Sequence, residues 1–522
     1  MNRIENGDAP SPPPEGGSFT RLDALALAAT LLLGLLNLPF PFTGDQAFFT
    51  VGALEMDHGK SLYRDFWDLK PPGIFLFYFA AGKLFGFTEI GVRAFELLFM
   101  TAFAALLTFS LRRHVRRPIV RASVPLLTVG VYYTVTWCWH LTQVEGLVGP
   151  WLFLCLWLST KPFGSEGRRG GMSLFAAGVF GGIAVVFKLL FAPIVAAFAL
   201  IALVTTARSA RGRPLFECLR DGATFGAGVL LPMLAVGLSF AFAGTLPLLL
   251  ETSFVIPSRI AREIPGAGAE RLKAGLAWFL VKFGPLLPGV LVAIGTTLKR
   301  RDRPLRTGLV LWLIVGMGVI QVQRQSLWEY HYLLLFVPMG LLALFGLEDL
   351  LDAAATRTFF SSGKGRWALP LACAILLLPF AKSVANKGLR IVRHRGTVRA
   401  EARRDYRIEI NPGYEVALRQ IEVLRAPGSL PGDIFVCGDP LFYFLSGRAQ
   451  ATTLNGWSLE FFLSHQWTQL RDELDSRRPP YVFVSPFYRD LIAERSPALA
   501  RLLGDAYTEL PRTPDGTWFV RR

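Results

Sequence analysis

The sequence of 522 residues has little charge and only five cysteines. Charged residues make up 18% of the chain and hydrophobic residues 52%, and the mean hydropathy is +0.40. A soluble chain would be about one quarter charged, so this composition excludes an ordinary soluble domain and indicates a membrane protein. No two cysteines form a CxxC pair, so neither a disulfide framework nor a zinc site is expected.

The local signatures of common nucleotide and metal sites are also absent. The sequence contains no GxGxxG, no Walker loop and no HExxH, which are the usual marks of dinucleotide, nucleoside-triphosphate and zinc-hydrolase sites. It has no evident internal repeat, whereas many transporters have related halves. The first apolar segment, 22–40, lacks a small-residue cleavage site, so we predict a retained helix and not a signal peptide.

Apolar segments predict about eleven transmembrane helices, because a helix needs roughly 17 to 25 apolar residues to cross a bilayer. The segments are 22–40, 90–111, 118–136, 146–159, 172–187, 189–206, 222–243, 276–298, 307–323, 331–347 and 367–385. The run 73–86 covers only about 21 Å of a roughly 30 Å core. If it is a juxtamembrane helix, the basic clusters 112–117 and 299–303 lie in the cytoplasm, as the positive-inside rule favours.

This topology divides the chain into three parts. Residues 1–20 are rich in Pro and Gly and are predicted to be a disordered cytoplasmic tail. Residues 21–385 form the transmembrane domain, with an outer loop at 41–89. In 386–522, apolar runs predict strands at 433–437, 481–484 and 517–520 and a helix at 459–474. The predicted fold is a polytopic α-helical membrane protein with juxtamembrane helices and a small α/β C-terminal domain outside the cell membrane.

The polar loop after the first apolar span carries the most informative residues. It contains Asp45, and further along Asp65, Asp68 and Lys70, followed by two prolines. Ionisable groups at the rim of a membrane are costly to desolvate and are therefore usually functional. This combination suggests chemistry on a lipid-linked substrate.

These residues resemble the bacterial GT-C glycosyltransferases. The sequence pattern is similar to that of two groups of these enzymes. One is glycosyltransferase family 39, which includes the protein O-mannosyltransferases, and the other is the lipid A aminoarabinose transferases. The resemblance covers roughly residues 20 to 350 and follows the family's order. It is carried by Gly44-Asp45 and Lys70-Pro71-Pro72, then by 84–93, 143–145, 186–188 and 331–338.

The resemblance implies transfer of a hexosyl or pentosyl group from a polyprenyl-phosphate donor, with inversion, to a lipid, glycan or protein acceptor. It implies a multi-pass enzyme of the bacterial inner membrane, with the N-terminus cytoplasmic and the C-terminal domain outside. The basic clusters follow membrane topology, so no nucleic-acid partner is expected. The alternatives are a transporter or lipid flippase, or a catalytically inactive relative.

Asp45 and Lys70 are the principal site residues that the resemblance implies. Asp45 matches the family's first-loop aspartate and is the predicted base for the acceptor hydroxyl. Lys70 matches a lysine near the carrier phosphate in the aminoarabinose transferases, and is predicted to bind the donor phosphate. Each has a structural alternative, since an aspartate here can cap a helix and a lysine can snorkel to headgroups.

Lys188 and Arg259 are further candidates for the donor phosphate. Lys188 interrupts an apolar run, and it can equally be a snorkelling anchor. Arg259 lies in an outer loop with Arg262, where a solvated arginine is the competing interpretation.

Four more residues are candidates for orienting the acceptor or a metal. Glu145 matches a second acidic position of the family, but a helix N-terminus also favours a glutamate. His331 either faces the cavity or pairs with Glu329, and Asp65 and Asp68 are alternatively partners of Lys70.

Gln46 is a departure from many relatives, which have Asp-Glu in the first loop. Hard cations favour anionic oxygen ligands, so the missing carboxylate weakens a metal site there. The sequence leaves a divalent metal open and predicts no other cofactor.

Overall fold

The computed structural model describes residues 19–161, 171–209, 215–300, 303–356, 365–394 and 399–522. Most of the predicted tail, 1–20, lies outside these residues. Each of the eleven predicted spans coincides with helical structure, which confirms the polytopic helical fold. The helices are Arg21–Leu35, Glu89–Ser110, Pro118–Ala122 with Val131–Val135, Gly149–Ser159, Gly171–Phe187, Ala192–Ser209, Leu215–Phe242, Gly268–Phe283 with Leu287–Lys299, Pro304–Val322, Phe336–Thr356 and Gly365–Arg393.

Within the described residues, five helical segments are long and apolar enough to cross a membrane. They are Glu89–Ser110, Phe216–Phe242, Gly268–Lys299, Pro304–Val322 and Glu329–Ala354. Other apolar helices are shorter because the chain turns within the apolar run, as at Lys188, where the backbone is extended between two helices. The bundle therefore combines full-length spans with shorter helices.

Two further helices lie in the loop after the first span. Pro72–Phe85 begins with a proline at its first position, where no intrahelical partner is lost, and ends at Gly86 with a positive φ of 90°. It corresponds to the predicted juxtamembrane helix. Gly44–Asp57 was not predicted as a helix, because the polar residues at its start resemble a loop. Its N-terminal cap is Thr43.

Different parts of the chain meet at the two ends of the bundle. At one end, Asp23 near the start of the first helix lies 3.5 Å from Arg121, and Arg306 lies 2.6 Å from Asp349. The other end carries the 41–89 segment, and the C-terminal domain contacts it, as when Asn411 Nδ2 donates to the carbonyl of Phe42 at 3.0 Å. The basic cluster 112–117 and the polar loop thus lie at opposite ends of helix Glu89–Ser110.

The C-terminal domain contains a four-stranded sheet in the order β1-β2-β4-β3. The strands are β1 Ile434–Cys437, β2 Tyr481–Val484, β3 Tyr507–Glu509 and β4 Thr517–Arg521. β1 and β2 are parallel, with Ile434 opposite Tyr481, and β4 is antiparallel to β2 and β3. Every residue of β1 and β2 is buried, which explains their continuous apolar sequence. β3 was not predicted, because two of its three residues are exposed.

Seven helices surround the sheet, and sequence alone predicted one of them. They are Ala400–Ile410, Pro412–Gln420, Glu422–Arg425, Leu441–Ser446, Ser464–Arg477, Pro486–Arg495 and Pro497–Ala506. The predicted one is Ser464–Arg477, although its sequence prediction began five residues earlier, where a 3-10 turn now lies.

A short segment of this domain, 453–457, docks on the 41–89 loop of the helical bundle. The backbone N–H of Trp67 donates to the carbonyl of Thr453 at 2.8 Å, and Asn455 Nδ2 donates to the carbonyl of Trp67 at 2.7 Å. We call 453–457 the docking segment. It brings the C-terminal domain directly over the first-loop residues.

Candidate active site

Asp45 lies in the first turn of helix Gly44–Asp57, between the two domains. Its Oδ2 is 3.2 Å from Lys70 Nζ, and its Oδ1 accepts a hydrogen bond of 2.9 Å from Trp457 Nε1. The side chain of Asp45 is 16% exposed and that of Lys70 24%. Thr43, not Asp45, is the N-terminal cap, and its backbone N–H donates to Gln46 Oε1. The capping interpretation of Asp45 is therefore wrong.

The electrostatic surroundings keep this pair ionised. Burial raises the pKa of Asp45, but the Lys70 charge and hydrogen bonds from Trp457, Lys70 and Gln143 outweigh it and hold the pKa below its usual value. Burial alone would lower the pKa of Lys70, but Asp45 and other nearby groups raise it well above its usual value. Asp45 is a carboxylate and Lys70 an ammonium at neutral pH.

Asp65 and Asp68, the other two candidate acids of the loop, behave differently. Burial raises the pKa of Asp68 to about 6; the Lys70 charge opposes this shift, and the Asp45 charge adds to it. Asp65 instead pairs with Arg64 at 3.2 Å and accepts a hydrogen bond of 2.7 Å from the backbone of Ser61. The expectation that Asp65 is a partner of Lys70 is thus wrong, because Asp65 turns toward its own loop.

A second carboxylate and lysine pair lies nearby. Lys188 Nζ is 2.7 Å from Glu145 Oε1 and also hydrogen bonds to Gln323. Glu145 is 1% exposed, and His331 Nε2 lies 3.9 Å from the same Glu145 oxygen. Lys188 is therefore held inside the protein. His331 contacts Glu145 and not Glu329, so the expected pairing with Glu329 is wrong.

The two pairs belong to one electrostatic cluster. Besides Asp45, the groups that raise the pKa of Lys70 include Tyr330, Asp68 and Glu145. Sequence reasoning missed Tyr330, although it directly precedes His331. It also missed Trp457, which no local pattern connects with the first loop.

Arg259 is not part of this cluster in the contacts described. It lies in helix Ile256–Glu263 and pairs with Glu263 at 2.9 Å on the same helix. Its Nη1 is also 3.4 Å from His465 Nδ1 of the C-terminal domain. The sequence prediction of a phosphate ligand at Arg259 has no geometric support here.

Gln46 is fully buried and all its polar atoms have partners. Its Nε2 donates to the carbonyls of Cys138 and Leu141, both at 2.8 Å, and its Oε1 accepts from Arg93 at 3.2 Å. Because the amide nitrogen faces two carbonyls, a glutamate here would oppose acceptor to acceptor. Among the described residues, no group of three or more His, Cys, Asp or Glu is placed to hold a metal. Gln46 does not fit a metal site.

Taken together, the cluster contains two pairs of a carboxylate and a lysine, Asp45 with Lys70 and Glu145 with Lys188, and the C-terminal domain contacts the first pair through Trp457. Such a site can accept a proton from a bound hydroxyl and stabilise developing negative charge on a leaving group. Tyr330, which acts on Lys70, and Gln143, which hydrogen bonds to Asp45, are neutral groups that can hydrogen bond to a sugar or a phosphate.

The fold is that of a polytopic helical membrane protein with a small C-terminal domain. The structure is similar to that of ArnT, the lipid A aminoarabinose transferase, from Cupriavidus metallidurans bound to undecaprenyl phosphate, with 14% identity and a TM-score of 0.58. It is similar to the apo form of that protein with 15% identity and a TM-score of 0.55. Each match covers 95% of this chain and 97% of the other.

This similarity confirms the GT-C fold expected from the first-loop residues, over nearly the whole chain. No protein-family model matches the sequence, and comparison with curated proteins finds no significant match. The similarity found is therefore one of fold.

Proposed function

We propose that this protein is a membrane glycosyltransferase that moves a sugar from a polyprenyl-phosphate donor to an acceptor on the outer face of the bacterial inner membrane. The observation that carries the proposal is the pair Asp45 and Lys70, 3.2 Å apart beneath the C-terminal domain. The similar ArnT structure binds undecaprenyl phosphate, which supports a carrier of that class. The N-terminus and basic clusters would then be cytoplasmic.

In the proposed reaction Asp45 removes the proton from the acceptor hydroxyl. The acceptor oxygen forms a bond to the anomeric carbon, the bond from that carbon to the phosphate oxygen breaks, and its electron pair leaves with the phosphate. A single displacement inverts the anomeric centre. Lys70 and Lys188 stabilise the departing phosphate, while Glu145 and His331 orient the acceptor.

Binding of the donor would also make Asp45 a stronger base. Lys70 is the nearest cation to Asp45 and lowers the pKa of that carboxyl. When Lys70 turns to the phosphate, Asp45 loses this stabilisation and a second anion approaches, so its pKa rises toward the operating pH. Proton transfer is most efficient there. The base would thus be activated only when donor is bound.

Donor consumption by purified protein tests the proposal. The probes are undecaprenyl phosphates carrying a hexose, a pentose or an amino-pentose, each supplied with a lipid, a glycan or a protein as the acceptor. The products are the glycosylated acceptor and free undecaprenyl phosphate. Positioned general bases contribute about 10²- to 10⁴-fold, so Asp45→Asn should lose at least about two decades of turnover. Asp57→Asn is the control, because Asp57 pairs with the exposed Lys83 on the same loop.

The outcome also separates the alternatives. Near-wild-type turnover in folded Asp45→Asn with collapse in Glu145→Gln would move the base to Glu145. Binding of undecaprenyl phosphate without consumption of any donor would favour an inactive relative. Vectorial movement of the intact lipid-linked sugar across a vesicle would favour a flippase.

A further inference from the structure

The C-terminal domain supplies a side chain that contacts the proposed base. Trp457 ends the docking segment, and its Nε1 donates to Asp45 Oδ1 at 2.9 Å, although the two residues are 412 positions apart. Trp457 is itself held in place, because its backbone N–H donates to Asn455 Oδ1 at 2.9 Å. Asn455 in turn donates to the carbonyl of Trp67. A continuous set of hydrogen bonds therefore joins the indole to the outer loop.

The first turn of helix Gly44–Asp57 is shaped to accept this indole. A Cβ atom built on Gly44 would lie 2.4 Å from Cζ2 and 2.9 Å from Cη2 of Trp457. Real carbon atoms do not approach so closely. Gly44 does not have a positive φ, so the glycine is needed for space and not for backbone conformation. The sequence Gly44-Asp45 thus presents the carboxylate and the space for the ring together.

The same domain makes a second contact with this turn. Asp439, which follows β1, accepts hydrogen bonds from the backbone N–H groups of Leu441 and Gly44. Trp457 and Asp439 therefore approach the start of the helix together. The docked domain fixes both the helix turn and the carboxylate that it carries.

We propose that Trp457 is a positioning residue for the reaction, holding Asp45 Oδ1 so that Oδ2, the oxygen beside Lys70, receives the acceptor's proton. This inference rests on the proposed function. A carboxylate without the indole contact can rotate and offer either oxygen, and a misplacement of about 1 Å can cost about a hundredfold in rate. The site is complete only when the C-terminal domain is docked.

Trp457→Phe tests the inference, because it keeps the ring and removes the N–H. In the full-length protein, kcat should fall about ten- to a hundredfold, while the donor KM stays unchanged. The acid limb of the pH–rate profile should move to higher pH, since a hydrogen bond to the ionised carboxylate lowers its pKa. A merely structural role for Trp457 would not move this limb.

Trp518→Phe is the matched control. Trp518 Nε1 donates to the carbonyl of Gln420 at 3.0 Å inside the same domain, so this variant loses an indole hydrogen bond away from Asp45. Its kcat and acid limb should stay at wild-type values. Gly44→Ala is an independent test, because its Cβ displaces the indole, and it should reproduce the kinetic effects of Trp457→Phe.

Two results separate this inference from the proposed function. If the wild type consumes donor but folded Trp457→Phe keeps its kcat and its acid limb, the positioning role is rejected and the proposed function stands. If the wild type consumes no donor, the proposed function is rejected, and the positioning role with it. In an Asp45→Asn background, Trp457→Phe should cause no further loss; a further tenfold loss would show that Trp457 acts elsewhere.

Discussion

Replacing Lys70 by methionine tests whether this cation meets the donor phosphate. Methionine keeps much of the stem volume and removes the charge. In the structure the Lys70 ammonium lies 3.2 Å from Asp45 Oδ2 and 5.2 Å from the centre of the Phe49 ring. It therefore lies beside helix Gly44–Asp57, and its loss leaves Asp45 without its cation partner.

The size of the effect follows from the kind of hydrogen bond that the substitution removes. A hydrogen bond to a charged group contributes roughly 1.5 to 3 kcal/mol, which is about ten- to a hundredfold in affinity. Lys70 is 24% exposed, so solvent screening is incomplete and the effect should fall inside this range.

Binding of undecaprenyl phosphate to the purified variant measures the loss directly. Lys83→Met is the control: Lys83 pairs with Asp57 at 2.8 Å, but its side chain is 55% exposed, and exposed pairs contribute about 1 kcal/mol or less. Its affinity for undecaprenyl phosphate should be that of the wild type. A folded Lys70→Met protein with wild-type affinity would refute the phosphate contact and leave the snorkelling interpretation.

Two further predictions concern the fold and its orientation. Gln46→Glu should lower the free energy of unfolding by about 1–3 kcal/mol or more, because a carboxylate would face the carbonyls of Cys138 and Leu141; an unchanged melting temperature would contradict this packing. With Cys218 and Cys373 replaced by serine, Phe487→Cys, at a 65% exposed site, should react with an impermeant thiol reagent from outside, and Arg113→Cys should not. Labelling of Arg113→Cys from outside would reverse the proposed orientation.

The sequence predicted the spans and the larger strands because these elements depend on local composition. An apolar run such as 90–111 forms a helix in lipid because a helix pairs its own backbone N–H and C=O groups. The buried strands β1 and β2 are apolar at every residue. Elements with mixed exposure gave weaker patterns. Strand β3, with two exposed residues of three, was missed for this reason. Helix Gly44–Asp57 is mostly buried and was missed because the polar residues at its start resemble a loop.

The sequence by itself also determined where charged groups collect, since Asp45, Asp68 and Lys70 all lie in the segment 41–89 that was predicted to form one loop. Tertiary structure alone decided which charges meet. Glu145 and Lys188 pair across 43 positions, and Trp457 reaches Asp45 across 412. Such contacts depend on how helices and domains pack, and residue type and spacing do not encode that packing locally. The burial that shifts the pKa values of Asp45 and Asp68 likewise comes from neighbours that only the folded chain brings together.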